Sequence, residues 1–131
     1  VVQLDAKFIS SNQWEVYIEG ARESTGINVF EWINNVIDFG AGELFITGID
    51  KEGMYSGMDL KLIKLINDID IQIPVIFSGG VGSINDIVNA YNCGANEAIA
   101  MSHFLHVENQ KISKIKEKLS SKGINVRMDH E

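Results

Sequence analysis

The sequence predicts an α/β fold with parallel strands, arranged as a (β/α)4 half-barrel. Short apolar segments rich in β-branched residues alternate with amphipathic helical segments, and short connections between them favour parallel strands with right-handed crossovers. The predicted strands are almost entirely apolar, which is typical of a sheet covered on both faces. A closed barrel of this type has eight strands, whereas these 131 residues hold four βα units. We therefore predict a single half-barrel domain over 1–131.

The charge balance limits the classes of partner. The chain has 11 Lys and Arg against 18 Asp and Glu, a net charge of −7, which argues against nucleic acid or an anionic membrane. Cys93 is the sole cysteine, and no apolar run reaches the ~18 residues of a membrane span. We therefore predict a cytoplasmic protein. Because the chain opens directly on an apolar strand, we also expect it to be part of a longer polypeptide.

The first predicted strand covers residues 1–4 and places Asp5 at its carboxyl end. Apolar and aromatic residues on either side of a polar turn at 11–12 predict a hairpin within 7–20. A loop is expected through 23–26. The first helix is predicted over 28–39, with Asn28 as N-cap and Glu31 as its capping-box partner.

The remaining elements follow the same alternation. Gly40 and Gly94 are predicted to end helices, and Gly-Ala-x-Glu recurs before two strands, at Gly40 to Glu43 and at Gly94 to Glu97. This echo fits a barrel built from duplicated pairs of units, or a shared way of ending a helix. We predict strands at 44–49, 74–77 and 97–101, and helices at 59–66, 83–92, 103–106 and 112–121, with Leu60 and Ile112 among the buried residues.

The stretch from Pro74 to Ser83 predicts an anion site. A strand leads into Ser78-Gly79-Gly80-Val81-Gly82 and then into a helix. Glycines let the backbone approach an oxyanion closely, and the first turn of a helix offers unpaired N–H groups. A tight turn that binds nothing is an equally good interpretation of the glycines alone.

The carboxyl ends of the predicted strands collect further candidates. Asp5, the segment 47–50, the turn 78–80 and the segment 100–102 would meet on one rim, where barrels place their chemistry. We predict Asp5 as general acid or base, although a strand-end Asp often only caps a loop. We predict neither a metal site nor a cofactor, because His103 and His106 with Glu108 nearby form only a weak metal pattern. The pair Met54-Tyr55 predicts a lid contact.

Read together, several stretches resemble the carboxyl-terminal half of the cyclase subunit of imidazole glycerol phosphate synthase. Their order and spacing, over essentially the whole chain, carry the resemblance more than any single motif. The stretches are Asp5-Ala6-Lys7, Ser24-Thr25-Gly26, Gly40-Ala41-Gly42-Glu43, Thr47-Gly48-Ile49-Asp50-Lys51-Glu52-Gly53, Ser56-Gly57-Met58-Asp59, Ile73-Pro74-Val75-Ile76-Phe77-Ser78-Gly79-Gly80 and Gly123-Ile124-Asn125-Val126-Arg127.

The resemblance implies strands 5 to 8 of a TIM barrel and a cyclase that takes ammonia from a glutaminase subunit. The substrate would be a bis-phosphorylated ribulosyl aminoimidazole carboxamide, and the products imidazole glycerol phosphate and an aminoimidazole carboxamide ribotide. Asp5 matches one of two catalytic aspartates, the other being absent from this chain, and Glu43 matches a charged gate for ammonia. The substrate- and phosphate-binding residues implied are Thr47, Gly53, Ser78, Gly79, Gly80, Ala100 and Ser102.

The loop after the second predicted βα strand departs from the family pattern. The family usually has Asp-Arg-Asp-Gly-Thr, often followed by Lys, where this chain has Asp50-Lys51-Glu52-Gly53-Met54-Tyr55. A paralogous subunit that supplies ammonia for sugar amidation in surface-polysaccharide synthesis is therefore an alternative. A non-catalytic phosphate-binding half-barrel is another, and a flavodoxin-like nucleotide-binding sheet is a third. Alone, the chain is expected to be inactive and to associate with an amino-terminal half-barrel or with itself.

Overall fold

The computed structural model describes residues 1–107 and 111–128. Glu108, part of the weak metal pattern, lies outside them. Within the described residues the chain forms six strands and five helices. The strands are β1 (Val2–Ser10), β2 (Gln13–Ile18), β3 (Glu23–Asn28), β4 (Leu44–Gly48), β5 (Val75–Ser78) and β6 (Ala98–Ala100). The helices are α1 (Val29–Asp38), α2 (Leu60–Asn67), α3 (Ile84–Asn92), α4 (His103–Val107) and α5 (Ile112–Ser121).

The strands form one sheet in the order β3-β2-β1-β4-β5-β6. Strands β1, β4, β5 and β6 are parallel, and helices lie between them in the chain. This confirms the predicted α/β fold, which is consistent with a partial TIM barrel. The predicted hairpin is also confirmed, since β2 pairs antiparallel with β1.

Two segments differ from the prediction by more than one or two residues. The segment 23–26, expected as a loop, belongs to β3, which pairs antiparallel with β2 and widens the sheet. Asp5, expected at the end of a short strand, lies inside β1. The reason is that β1 has two partners: it pairs with β4 as far as Ala6, and with β2 as far as Ser10. Asp5 is still one residue from the end of the parallel part of the strand.

The core lies on one face of the sheet. Leu4, Ile46 and Phe77 are adjacent in register and buried, and they belong to the same apolar cluster as the inward residues of the helices. Because side chains alternate along a strand, Gln3, Phe45 and Ile76 point to the opposite face. None of these three is fully buried. The sheet is therefore covered by helices on one side in the described part of the chain.

The helices begin largely as their capping residues predict. The side chains of Asn28, Asp59 and Ser83 accept hydrogen bonds from Phe30 N, Leu62 N and Asp86 N, respectively. Leu60 and Ile112, expected to be buried, are exposed because each is the first residue of its helix and points away from the core. No helix in the described ranges is long and apolar enough to cross a membrane.

The echoed Gly-Ala pairs end their helices in the same way. Gly40 and Gly94 have positive φ, and the next residue donates back into the helix, Ala41 N to Val36 O and Ala95 N to Ala90 O, both 3.0 Å. This is a Schellman arrangement. Ile124 N makes the same bond to Leu119 O after α5. This third helix ends in the same way although no Gly-Ala-x-Glu sequence follows it. The shared helix ending therefore accounts for the glycines without a duplication.

Candidate functional site

Four of the predicted site residues form one row across the sheet. Asp5 is the register partner of Thr47, Thr47 of Ser78, and Ser78 of Ala100. The residues before them in each strand face the helices, so the row lies on the face that the helices leave open. Neighbouring strands are about 4.8 Å apart, which places the backbone of Asp5 about 10 Å from that of Ser78. The distance suits a substrate that extends across several strands.

Asp5 is half-buried, and its carboxylate is hydrogen-bonded to a side chain of the same strand. Gln3 Nε2 donates a hydrogen bond to Asp5 Oδ1 at 3.2 Å. Next in the row, Thr47 is 8% exposed and separates the carboxylate from the serine of β5. The row therefore has a carboxylate at one end and hydroxyl groups towards the other, which can serve proton transfer and anion binding, respectively.

A cleft lies at the far end of this row. It is formed by the loop after β4, the turn after β5 and the start of α4. Six predicted residues line it together: Gly53, Ser78, Gly79, Gly80, Ala100 and Ser102. Glu52, Tyr55, Val81, Met101 and His103 complete its lining. The structure thus brings together all the predicted phosphate-binding residues except Thr47, which lies one strand away in the row.

The glycines of the turn are required by packing. Gly79 and Gly80 have φ of 103° and 91°, a region that residues with a Cβ rarely adopt. A Cβ on Gly80 would lie 2.3 Å from Gly57 O, and one on Gly79 would lie 2.7 Å from Gly48 O. Gly57 N also donates to Gly80 O at 3.0 Å. The loop after β4 therefore packs on the turn at Gly80, and close packing against Gly57 and Gly48 would by itself explain Gly80 and Gly79, respectively.

The first turn of α3 is partly occupied by the protein's own side chains. Ser83 Oγ accepts from Asp86 N, and Asp86 Oδ2 accepts from Gly82 N at 3.0 Å and from Ser83 Oγ at 2.9 Å. These bonds occupy N–H groups that the sequence interpretation had assigned to a ligand. The N–H groups of Gly82 and Asp86 are therefore not available to an anion in the cleft.

Sequence reasoning missed how the loop after β4 is held to β1. Asp50 Oδ2 accepts from Phe8 N at 2.7 Å, and Asp50 Oδ1 forms an ion pair with Lys7 Nζ at 2.9 Å. Burial alone would raise the pKa of the Asp50 carboxyl, but the bonds from Lys7 and Phe8 outweigh it and hold this pKa below its ordinary value. The bond to Asp50 raises the pKa of Lys7. The only sign of this contact in the sequence was the position of Asp50, a charged residue just after a predicted strand.

Tyr55 lies at the wall of the cleft. Its ring packs against that of His103 in a T-shaped arrangement with centroids 4.3 Å apart, and its backbone has a left-handed φ of 51°. A Cβ on Gly82 would lie 2.9 Å from Tyr55 Cβ. Met54 is 65% exposed. Of the pair that predicted a lid contact, Tyr55 is the one that lines the cleft.

Glu43 lies away from the row. It precedes β4, at the amino edge of the parallel strands, and its backbone oxygen accepts from Val2 N at 2.9 Å. Its counterpart in the echo, Glu97, uses its side chain instead, with Oε2 accepting from Val75 N at 2.7 Å. Among the described residues no group of three His, Cys, Asp or Glu side chains could hold a metal ion.

A larger cavity of about 490 Å³ runs along β6 towards α5. Apolar side chains such as Ile87, Ile99 and Leu119 make up most of its lining. It contains no carboxylate–hydroxyl row of the kind seen on the open face. We therefore place the candidate site at the row and its smaller cleft.

Comparison with known proteins shows what the whole chain is similar to. Residues 1–110 match the family model described as "Histidine biosynthesis protein". The chain is 40% identical over 128 residues to the protein named imidazole glycerol phosphate synthase subunit HisF from Helicobacter hepaticus. The alignment covers 98% of this chain and 50% of that protein. The chain thus spans about half the length of the curated relative that it matches.

Proposed function

The chain belongs to the histidine biosynthesis protein family, and on that premise we propose that it supplies half of an ammonia-using cyclase. The complete barrel would add ammonia to a bis-phosphorylated ribulosyl aminoimidazole carboxamide. It would release imidazole glycerol phosphate and an aminoimidazole carboxamide ribotide. The name of the relative from Helicobacter hepaticus supports this reaction type.

The observation that carries the proposal is the row Asp5–Thr47–Ser78–Ala100. A carboxylate on β1 would exchange protons with the reacting part of the substrate while the cleft holds a phosphate about 10 Å away. Fixing a remote phosphate orients the reacting atoms, which lowers the entropic part of the barrier. Asp5 is thus the proposed general acid or base.

The phosphate would lie in the cleft at the β5 and β6 end of the row. Ser78 and Ser102 offer hydroxyl groups, and Gly79 and Gly80 allow close approach to the backbone. Gly53 has φ of 71° with nothing within 4 Å of an added Cβ, so it leaves space on the loop side. Thr47 would contact the substrate between the cleft and Asp5.

Proposed partners follow from the same family. A glutaminase subunit would supply ammonia at the amino edge of the strands, where Glu43 would act as a charged gate. The second catalytic carboxylate and the second phosphate site would come from another half-barrel, so we propose that this chain alone is inactive. The proposed location of the complex is the cytoplasm.

A second candidate is the paralogous subunit that supplies ammonia for sugar amidation. The observation that favours it is the loop after β4, where Tyr55 lines the cleft and contacts His103. An aromatic wall there changes the shape of the space next to the phosphate. A different sugar substrate would account for this aromatic wall. The non-catalytic half-barrel, another alternative, would keep the phosphate-binding turns but would not require Asp5.

The proposal is tested by ammonia-dependent turnover of the ribulosyl substrate, using this chain assembled with a matching amino-terminal half-barrel. We expect turnover that Asp5→Asn removes. Asp38→Asn is the matched control, because Asp38 is an exposed aspartate at the end of α1. An assembled mixture without turnover would contradict the histidine cyclase and favour the paralogue, which ammonia-dependent amidation of a sugar substrate would then establish.

A further inference from the structure

The charged residues of the cleft are unusual for a site that binds phosphate. Among the residues that line it, Glu52 carries a negative charge and none is Lys or Arg. Glu52 Oε2 would lie 3.3 Å from a Cβ on Gly79, so its carboxylate is close to the turn. A phosphate placed there would meet a like charge, which destabilises binding unless a cation offsets it.

Among the described residues that line the cleft, only His103 has a side chain that can become positively charged. His103 follows Ser102 directly in the chain, and both residues line the cleft. The imidazole is therefore near one of the proposed phosphate-binding hydroxyl groups. Its ring is 4.3 Å from that of Tyr55, with 64° between the two planes. The ring contact fixes the imidazole at the wall of the cleft, which it shares with the carboxylate of Glu52.

We infer that protonated His103, positioned by Tyr55, is the cation that recognises an anion in this cleft. This inference rests on the proposed phosphate-binding role of the cleft and adds the group that gives it charge selectivity. Tyr55 is a positioning residue: it holds the imidazole by ring contact and contributes no charge. Binding would then depend on protonation, strong when His103 is charged and weak when it is neutral.

Within residues 1–107 and 111–128, few charged or titratable groups surround His103. Glu52 and Tyr55 come from the loop after β4, and the turn 78–82 contributes none. On α3, Asp86 is bonded to Gly82 N and Ser83 Oγ. Lys51 is the other cation near the turn, since its Cβ would lie 2.8 Å from a Cβ on Gly80, but it does not line the cleft. His106 is on the same helix and also lies outside the lining.

The test is the dissociation constant of sulfate, measured by calorimetry at about pH 5.5 and about pH 8, the range over which imidazoles change charge. Sulfate keeps the same charge at both values, so a change in affinity comes from the protein. We expect about tenfold tighter binding at the lower pH, the size of effect that one charge-assisted hydrogen bond gives. His103→Gln should remove this difference by weakening binding at the lower pH.

Variants separate the alternatives. His106→Gln is the matched control and should keep the tenfold difference, which excludes a general effect of net charge. Tyr55→Phe should also keep it, because the ring remains, while Tyr55→Leu should reduce it. Lys51→Met should leave it unchanged. If His103→Gln keeps the difference, or Lys51→Met removes it, the inference is overturned.

The same measurement distinguishes failure of the inference from failure of the proposed site. Ser78→Ala and Ser102→Ala should weaken sulfate binding at both pH values if the cleft is the anion site. If they do so while His103→Gln has no effect, only the role of His103 is wrong. If neither serine variant has an effect, or sulfate does not bind the wild-type protein, the phosphate-binding role of the cleft is wrong as well.

Discussion

Trp14 and Asp59, 45 residues apart in the chain, are joined by a hydrogen bond of 2.8 Å from the indole Nε1 to the carboxylate Oδ2. The other oxygen of Asp59 accepts from Leu62 N at 3.1 Å and caps α2. Trp14 is 1% exposed and packs edge-on against Phe8 and Phe30. One carboxylate therefore fixes both the hairpin and the start of a core helix.

Asp59→Ala should be among the more destabilising single changes in this chain. It removes an N-cap, which costs about 0.5–2 kcal/mol, and leaves a buried indole N–H unpaired, which costs about 1–3 kcal/mol. We expect a loss of about 2–4 kcal/mol in urea unfolding. Asp59→Asn retains an acceptor and should lose less. Asp68→Ala, at the exposed other end of α2, is the control, and an equal loss there would contradict the dual role.

Gly80→Ala should destabilise the protein more than an equivalent change at Gly20. Both glycines have positive φ, which costs another residue about 1–2 kcal/mol. Only Gly80 also faces an atom, Gly57 O, within 2.3 Å of the added Cβ, whereas Gly20 has open space. Overpacking adds about 1–3 kcal/mol. Thermal unfolding of the two variants measures the difference, and equal shifts in Tm would show that the loop yields easily.

The contact of Asp50 with β1 should make stability depend on acid pH. Its pKa is lower in the folded chain than the ordinary 3.8, so its contribution is present above that value. It is lost as pH falls through the folded pKa. Partial exposure limits the contribution to on the order of 1 kcal/mol. Unfolding curves of wild type and Asp50→Asn should differ near neutral pH and converge in strong acid, whereas a constant difference would contradict this.

Asp5 and Ser78 should affect different kinetic constants in the assembled enzyme. Asp5→Asn removes the proposed proton-transfer group and should lower kcat about 10²- to 10⁴-fold with little change in KM. Ser78→Ala removes a proposed contact to a remote phosphate and should chiefly raise KM, about tenfold for one hydrogen bond to a charged group. Steady-state kinetics tests both. A fall in kcat for Ser78→Ala equal to that for Asp5→Asn would show that the row does not divide the work in this way.

The open face of the sheet should drive association of the isolated chain. Phe45 and Ile76 are adjacent in register on this face, and apolar patches of this kind promote interaction. Sedimentation equilibrium should show dimers or larger species, and Ile76→Lys should shift the equilibrium towards monomer. Phe39→Lys, at an 82% exposed position at the end of α1, should not. A wild-type chain that remains monomeric would contradict the expectation.

Much of the fold could be predicted because its signals are local. The N-caps at Asn28 and Ser83 and the glycine endings at Gly40 and Gly94 depend on residues within one helical turn. The strands after Gly42 were recognisable as short apolar runs between those signals. Strand β3 was missed because Glu23 to Asn28 has little strand propensity of its own, and it is ordered by pairing with β2.

The sequence by itself determined the alternation of helices and parallel strands after the hairpin. Its strand ends, its glycines and the resemblance pointed to Asp5 and the glycine turn. Only the tertiary structure decided that Asp5, Thr47, Ser78 and Ala100 share one row, that Asp86 accepts a hydrogen bond from Gly82 N, and that the ring of Tyr55 contacts that of His103. The physical reason is range. Helix periodicity and caps arise between neighbours in the chain, whereas register and loop packing bring together residues tens of positions apart and depend on how the whole sheet pairs.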